Sequence, residues 1–131
     1  MCTTRTLAVT WTTLTTDVTD GDGVFIPVTG WMDTAQAKRF RSTFEVAATT
    51  DASGVVKPGA QFADAADAPG TPVAPSGIAS KTGNGTSYPN GLSDISATSA
   101  TKQLVRFGYW FKASSAGLKA ARVSGKFEVE G

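Results

Sequence analysis

Apolar and polar residues alternate with a period of two along much of this chain, and that period builds half-buried strands and excludes amphipathic helices. Residues 120–130 show it most clearly: Ala121, Val123, Phe127 and Val129 share one face, while Arg122, Ser124, Lys126, Glu128 and Glu130 share the other. Residues 103–113 set Val105, Phe107, Tyr109 and Phe111 against Leu104, Arg106, Gly108, Trp110 and Lys112. Residues 39–49 set Phe40, Phe44 and Val46 against Arg39, Arg41, Thr43 and Glu45. Residues 23–29 alternate Val24, Ile26 and Val28 with Phe25, Pro27 and Thr29. In residues 5–14, Leu7, Val9 and Trp11 share a face and threonines dominate the other. Threonine is at home there, because a β-branched side chain packs well on a pleated surface.

Shorter strands are expected at 54–57 and 60–65, joined by a turn at Pro58-Gly59, and at 93–98. Helical signal is poor. Residues 33–38 can make one turn with Asp33 as its N-cap, and the alanine-rich run 63–68 is closed off by Pro69 and Gly70. Five to eight strands with no substantial helix predict an all-β fold, an antiparallel β-sandwich of jelly-roll-like or Ig-like build. Trp11, Phe44, Phe107, Phe111 and Phe127 are its expected core. The length of 131 residues fits a single domain, 1–131, with enough buried surface to dispense with disulfide staples.

Residues 67–93 break the pattern. Four of the six prolines and five glycines fall there, with few large apolar side chains. The segment predicts a long loop or an extended arm. It is too poor in apolar residues for a core of its own and too poor in charge for a solvated linker. Pro69, Pro72, Pro75 and Pro89 hold the backbone extended, and Ile78, Tyr88 and Leu92 are spaced as anchors along such a strap.

The composition weighs against an enzyme. There is no histidine, and the one cysteine, Cys2, lies at the start of the chain and reads as an ordinary thiol. Proton shuttling, nucleophilic catalysis and zinc binding draw mainly on those two residue types. The carboxylates Asp64, Asp67 and Asp94 read as solvated loop acids. Asp17, Asp20 and Asp22, with Gly21 and Gly23, are the nearest approach to a cation loop. Trp31 occupies the position where an EF-hand would carry its bidentate glutamate, so a hairpin turn is the expectation. No catalytic, cofactor or metal residue is therefore named. Asn84-Gly85-Thr86 matches a glycosylation sequon without a secretory leader. A net charge of +1 with scattered bases gives no footprint for nucleic acid, and no apolar run is long enough to cross a membrane.

Aromatic and aliphatic residues outside the alternating core are better explained by an interface. The candidates are Trp31, Ile78, Tyr88, Leu92, Leu104 and Trp110. In its threonine-rich alternating strands, its Pro/Gly/Ser/Ala segment at 67–93 and its closing strands at 104–112 and 122–130, the chain resembles the small β-sandwich decoration or cement proteins of tailed bacteriophages. That resemblance implies a non-enzymatic virion protein made in the host cytoplasm and attached to the capsid exterior. Its partners would be a major capsid protein and itself, as a homo-oligomer and by preference a trimer. A carbohydrate- or host-receptor-binding module of a phage fibre or spike is the alternative, and a tail or head-completion protein a further one. The first alternative predicts exposed aromatics, Trp31 and Tyr88 among them, where the decoration reading buries them against a partner.

Overall fold

The computed structural model describes residues 4–131, so Cys2 lies outside the described residues. Its strands are, in chain order, β1 (Thr4–Thr16), β2 (Val24–Pro27), β3 (Met32–Asp33), β4 (Arg39–Ala47), β5 (Val55–Ala63), β6 (Lys81–Thr82), β7 (Gly85–Ser87), β8 (Ser93–Asp94), β9 (Leu104–Lys112) and β10 (Lys119–Glu130). They form two antiparallel five-stranded sheets, packed as a sandwich. In sheet I the order is β1-β10-β4, with β7 and β8 sharing the far edge of β4. In sheet II, β9 lies between β5 and the short pair β2 and β3, and β6 finishes the other edge of β5.

The core lies between the sheets. Phe40, Phe44 and Phe127 of sheet I meet Phe107, Tyr109 and Phe111 of sheet II, all buried. Ring centroids stand 5.0 Å apart for Phe40–Phe107 and Phe44–Tyr109, and 5.5 Å for Phe107–Phe127. Burying each such side chain contributes about 1.5–3 kcal/mol. Ser42 interrupts the apolar face of β4 because the Tyr109 hydroxyl needs a partner. Their oxygens are 2.9 Å apart, and Ser42 Oγ donates to the Lys126 carbonyl at 2.8 Å. Burial pushes the Tyr109 phenol far up, so it stays a neutral donor.

Phe44, Phe107, Phe111 and Phe127 sit in the core as expected, but Trp11 does not: it is 43% exposed. The pairing of β1 with β10 runs from Val9 opposite Gly125 directly to Thr12 opposite Val123. Thr10 and Trp11 therefore share a single partner position, as in a β-bulge, and the extra residue reverses the inward parity. Val9 faces the core before the bulge, and Leu14 and Thr16 face it afterwards.

Pro58-Gly59 is not a turn. β5 runs straight through it from Val55 to Ala63, paired along its whole length with β9. The Ala60 amide points away from β9, to the Val73 carbonyl at 3.1 Å. Pro58 has the same parity, so its missing donor falls on the side where β6 has already ended.

The expected strand at 93–98 shrinks to Ser93–Asp94. The Asp94 carboxylate accepts the Ser96 amide at 2.8 Å and starts the short helix α1 (Ser96–Ser99) instead. The single turn after Asp33 forms as expected, with Asp33 accepting the Ala35 amide at 2.8 Å. The run 63–68 is not a helix: Ala63 ends β5, and the residues after it bend into a turn in which the Ala68 amide donates to the Ala65 carbonyl at 3.1 Å.

Residues 67–93 do not extend away from the domain. Gly70 donates to the Phe62 carbonyl at 2.8 Å, and Val73 to that of Ala60 at 2.7 Å. β6 then joins β5 of sheet II, and β7 joins β4 of sheet I. The segment is a strap over its own sandwich. Few apolar groups suffice, because the free edges of β5 and β4 supply backbone hydrogen-bond partners.

Candidate interaction surface

The structure divides the six sequence-predicted residues between two places. Trp31, Leu104 and Trp110 belong to the outer face of sheet II, and Ile78 and Leu92 line a cleft at the β4 edge of sheet I. Tyr88 lies just past β7, next to the cleft residue Pro89, and is 71% exposed.

Alternation along β9 turns Leu104, Arg106, Gly108 and Trp110 outward, and register brings Phe25 and Lys57 to either side of Trp110. The Trp110 ring lies over Gly59, where a Cβ would come within 2.5 Å of its Nε1. That nitrogen donates to the Val73 carbonyl of the strap at 3.2 Å, and Phe25 meets the ring edge-on with centroids 5.6 Å apart. The Arg106 guanidinium sits over Trp31, 4.4 Å from the ring centre, and its Nε donates to Gln61 at 2.8 Å. Lys57 pairs with Asp22 at 2.6 Å. Asp22 belongs to a turn closed by the Gly23 amide on the Asp20 carbonyl at 3.0 Å, but it is not the expected hairpin: β1 lies in sheet I and β2 in sheet II, so the acidic loop carries the chain from one sheet to the other. The face is thus aromatic and cationic, half-buried by the chain's own strap.

The cleft holds about 420 Å³. Residues 75–79 and 89–94 form its walls, and Arg41 and Ser42 of β4 its floor. Arg41 spans the strands to Glu128, with nitrogen–oxygen distances of 3.1 and 3.2 Å. The hydrogen bond from Arg41 holds the Glu128 carboxyl below the usual range, against partial burial. The Ser96 hydroxyl and amide do the same for Asp94, at the other end of the cleft. Serine hydroxyls, an asparagine and a paired arginine line a shallow site that can hydrogen-bond a neutral polar ligand or a protein backbone. Its lining contains no histidine, cysteine or lysine. Among the described residues no three His, Cys, Asp or Glu side chains converge as a metal site, and no helix is long and apolar enough to cross a membrane.

Three surface features escape sequence reasoning. Trp11 was hidden by the bulge. The pairing of Phe25 with Trp110 depends on register between strands more than eighty residues apart. The cleft arises only where residues 75–79, in the middle of the strap, and residues 89–94, at its end, come together over Arg41 and Ser42 of β4. The alternation pattern already placed Arg106 and Trp110 on one face and was the available signal.

No family model matches the sequence, and no curated protein matches it. The fold is similar to part of a chain in a solved structure of infectious bursal disease virus, Gx strain. The TM-score is 0.56 at 15% identity, over 99% of this chain and 33% of that one. This chain therefore spans about a third of the length of the viral chain, and at that identity the likeness is one of fold.

Proposed function

We propose that the chain is a non-enzymatic virion structural protein of a bacteriophage, acting as one sandwich domain bound to the capsid exterior in the manner of a decoration or cement protein. The observation that carries this reading is the likeness of nearly the whole sandwich to part of a virus structure. The absence of histidine from the whole sequence supports a non-catalytic role. The bacteriophage host, the exterior position and a trimeric state follow from the resemblance in build stated above. On this reading the major capsid protein contacts the aromatic and cationic outer face of sheet II around Trp31, Leu104 and Trp110, and Ile78, Tyr88 and Leu92 meet a neighbouring subunit.

Co-sedimentation of the purified protein with empty shells tests it. Saturable pelleting that weakens at least tenfold in Arg106→Ala supports the reading. A protein that stays in the supernatant at every ratio overturns it.

One observation favours a second reading, a carbohydrate- or receptor-binding module. Tyr88 is exposed beside a polar cleft, an arrangement in which a sugar ring can stack on the phenol while its hydroxyls meet serine and asparagine. Glycan binding that is lost in Tyr88→Ala, by a protein that ignores shells, would select that reading.

A further inference from the structure

Sheet edges expose unpaired amides and carbonyls, and folded proteins normally shorten, cover or interrupt them. Three edges of this sandwich follow that rule. The far edge of β4 is finished by β7 and β8, of three and two residues. The far edge of β5 is finished by the two-residue β6 and then by strap bridges at Val73 and Pro69. The far edge of β9 carries β3, of two residues, and β2, of four, which ends at Pro27.

β1 is different. It is 13 residues long, and among the described residues its backbone pairs with β10 and with nothing else. Its bulge at Thr10 and Trp11 interrupts the C-terminal half. Before the bulge, Thr4–Val9 contains no proline and no bulge, and its single charge is Arg5. Apart from Leu7, half-buried, and Val9, buried, those residues are exposed.

The geometry points to this edge as a self-association site, where β1 of a second copy adds antiparallel across a two-fold axis at Leu7 and joins the two copies of sheet I into one continuous sheet. A strand paired with itself about a two-fold axis must be self-complementary. With the axis at Leu7, the unbulged residues Arg5–Val9 pair with one another, and Thr4 falls opposite Thr10 at the start of the bulge. Arg5 falls opposite Val9, Thr6 opposite Ala8 and Thr4 opposite Thr10, so no like charges meet. The half-buried Leu7 side chains meet at the axis, and exposed Trp11 stands at each end of the paired stretch. An axis at Arg5 shortens the pairing among these residues and sets the two guanidinium groups against each other. The inference rests on the edge alone and not on the virion reading.

Charge placement at Thr6 and Ala8 tests it, because both side chains are exposed on the outer face and the proposed register sets each opposite the other. Thr6→Lys with Ala8→Lys puts lysine opposite lysine twice. Thr6→Lys with Ala8→Glu puts lysine opposite glutamate twice and leaves each next to an opposite charge on β10, Glu128 and Lys126 respectively. By sedimentation equilibrium, the unmodified chain is expected to form dimers with concentration. The Lys/Lys variant should weaken them at least about tenfold, with an unchanged far-ultraviolet spectrum, and the Lys/Glu variant should restore them. Should the Lys/Lys variant unfold, amide exchange in the unmodified chain decides: protection of residues 4–9 should rise with protein concentration. A monomer at all concentrations, an oligomer equally tight in all three proteins, or exchange independent of concentration overturns the proposal. Shell binding by a protein that stays monomeric would overturn it while leaving the virion reading intact.

Discussion

The outer faces of the two sheets obey the same alternation and end in different chemistry. On sheet I, β4 and β10 bring Arg39 opposite Glu130 and Arg41 opposite Glu128, and both pairs form salt bridges in water. The rest of that face mixes threonines with Glu45, Ser124 and Lys126, and its one aromatic contact among the described residues is Arg122 over exposed Trp11, 5.3 Å from the ring centre. On sheet II the corresponding positions hold Trp110, Phe25, Leu104 and Arg106, and the strap lies across part of them. A polar outward residue needs only solvent. An apolar one needs cover, and cover needs room. Gly59 supplies it, since a Cβ there would lie 2.8 Å from the Val73 carbonyl oxygen of the strap. The strap therefore serves sheet II as packing, while on sheet I its far end supplies only edge strands and the cleft.

The largest expected effect lies between the faces and sets the scale for both. Phe127→Ala should destabilise by about 3–5 kcal/mol in urea melts, as aromatic truncations in a core do. Its neighbour Lys126→Ala should stay within about 0.5 kcal/mol. Equal losses at the two positions would show β10 buried on both sides.

Trp110→Ala comes next, at about 2–3 kcal/mol, because it removes a half-buried ring, its edge contact with Phe25 and the hydrogen bond to Val73. Limited proteolysis of this variant should cut first within residues 69–79. If the loss is below about 0.5 kcal/mol and the strap stays resistant, sheet II is no more covered than sheet I.

Asp51 links the two sheets at their crossover loops. Its carboxylate accepts the Ser114 hydroxyl at 2.6 Å and the Ser114 amide at 2.8 Å, and these bonds lower its pKa against burial. A carboxyl whose folded pKa lies below its unfolded value, near 3.9, stabilises fully above that value and loses the contribution as pH falls through the folded one. Asp51→Asn should cost about 1–3 kcal/mol at neutral pH. That deficit should shrink below about pH 4. A deficit independent of pH would mean the carboxylate charge is immaterial.

Arg41→Ala should have a smaller effect still, because a pair open to solvent is screened and entropically costly. The loss should shrink further in high salt. A salt-independent loss as large as that of Trp110→Ala would erase the difference between the faces.

Alternation in 39–49, 103–113 and 120–130 was sufficient to place β4, β9 and β10, to assign their inward residues and to read a sandwich. Each of those residues is sorted by its own affinity for water, repeated every second position, and that information is local. The bulge at Thr10–Trp11, the passage of β5 through Pro58-Gly59 and the docking of residues 67–93 were not legible in the same way. Each depends on a partner far along the chain: β10 sets the parity of β1, the open side of β5 tolerates a missing donor at Pro58, and free edges on β5 and β4 hold a strap with little apolar content. The same holds for the surface. The sequence by itself determined that Trp31, Trp110, Ile78, Tyr88 and Leu92 were surplus to the alternating core. Only the tertiary structure decided that Trp110 is capped by its own strap, that Ile78 and Leu92 share a cleft, and that among the described residues β1 alone keeps a long open edge, because hydrogen-bond partners and cover are properties of neighbours in space.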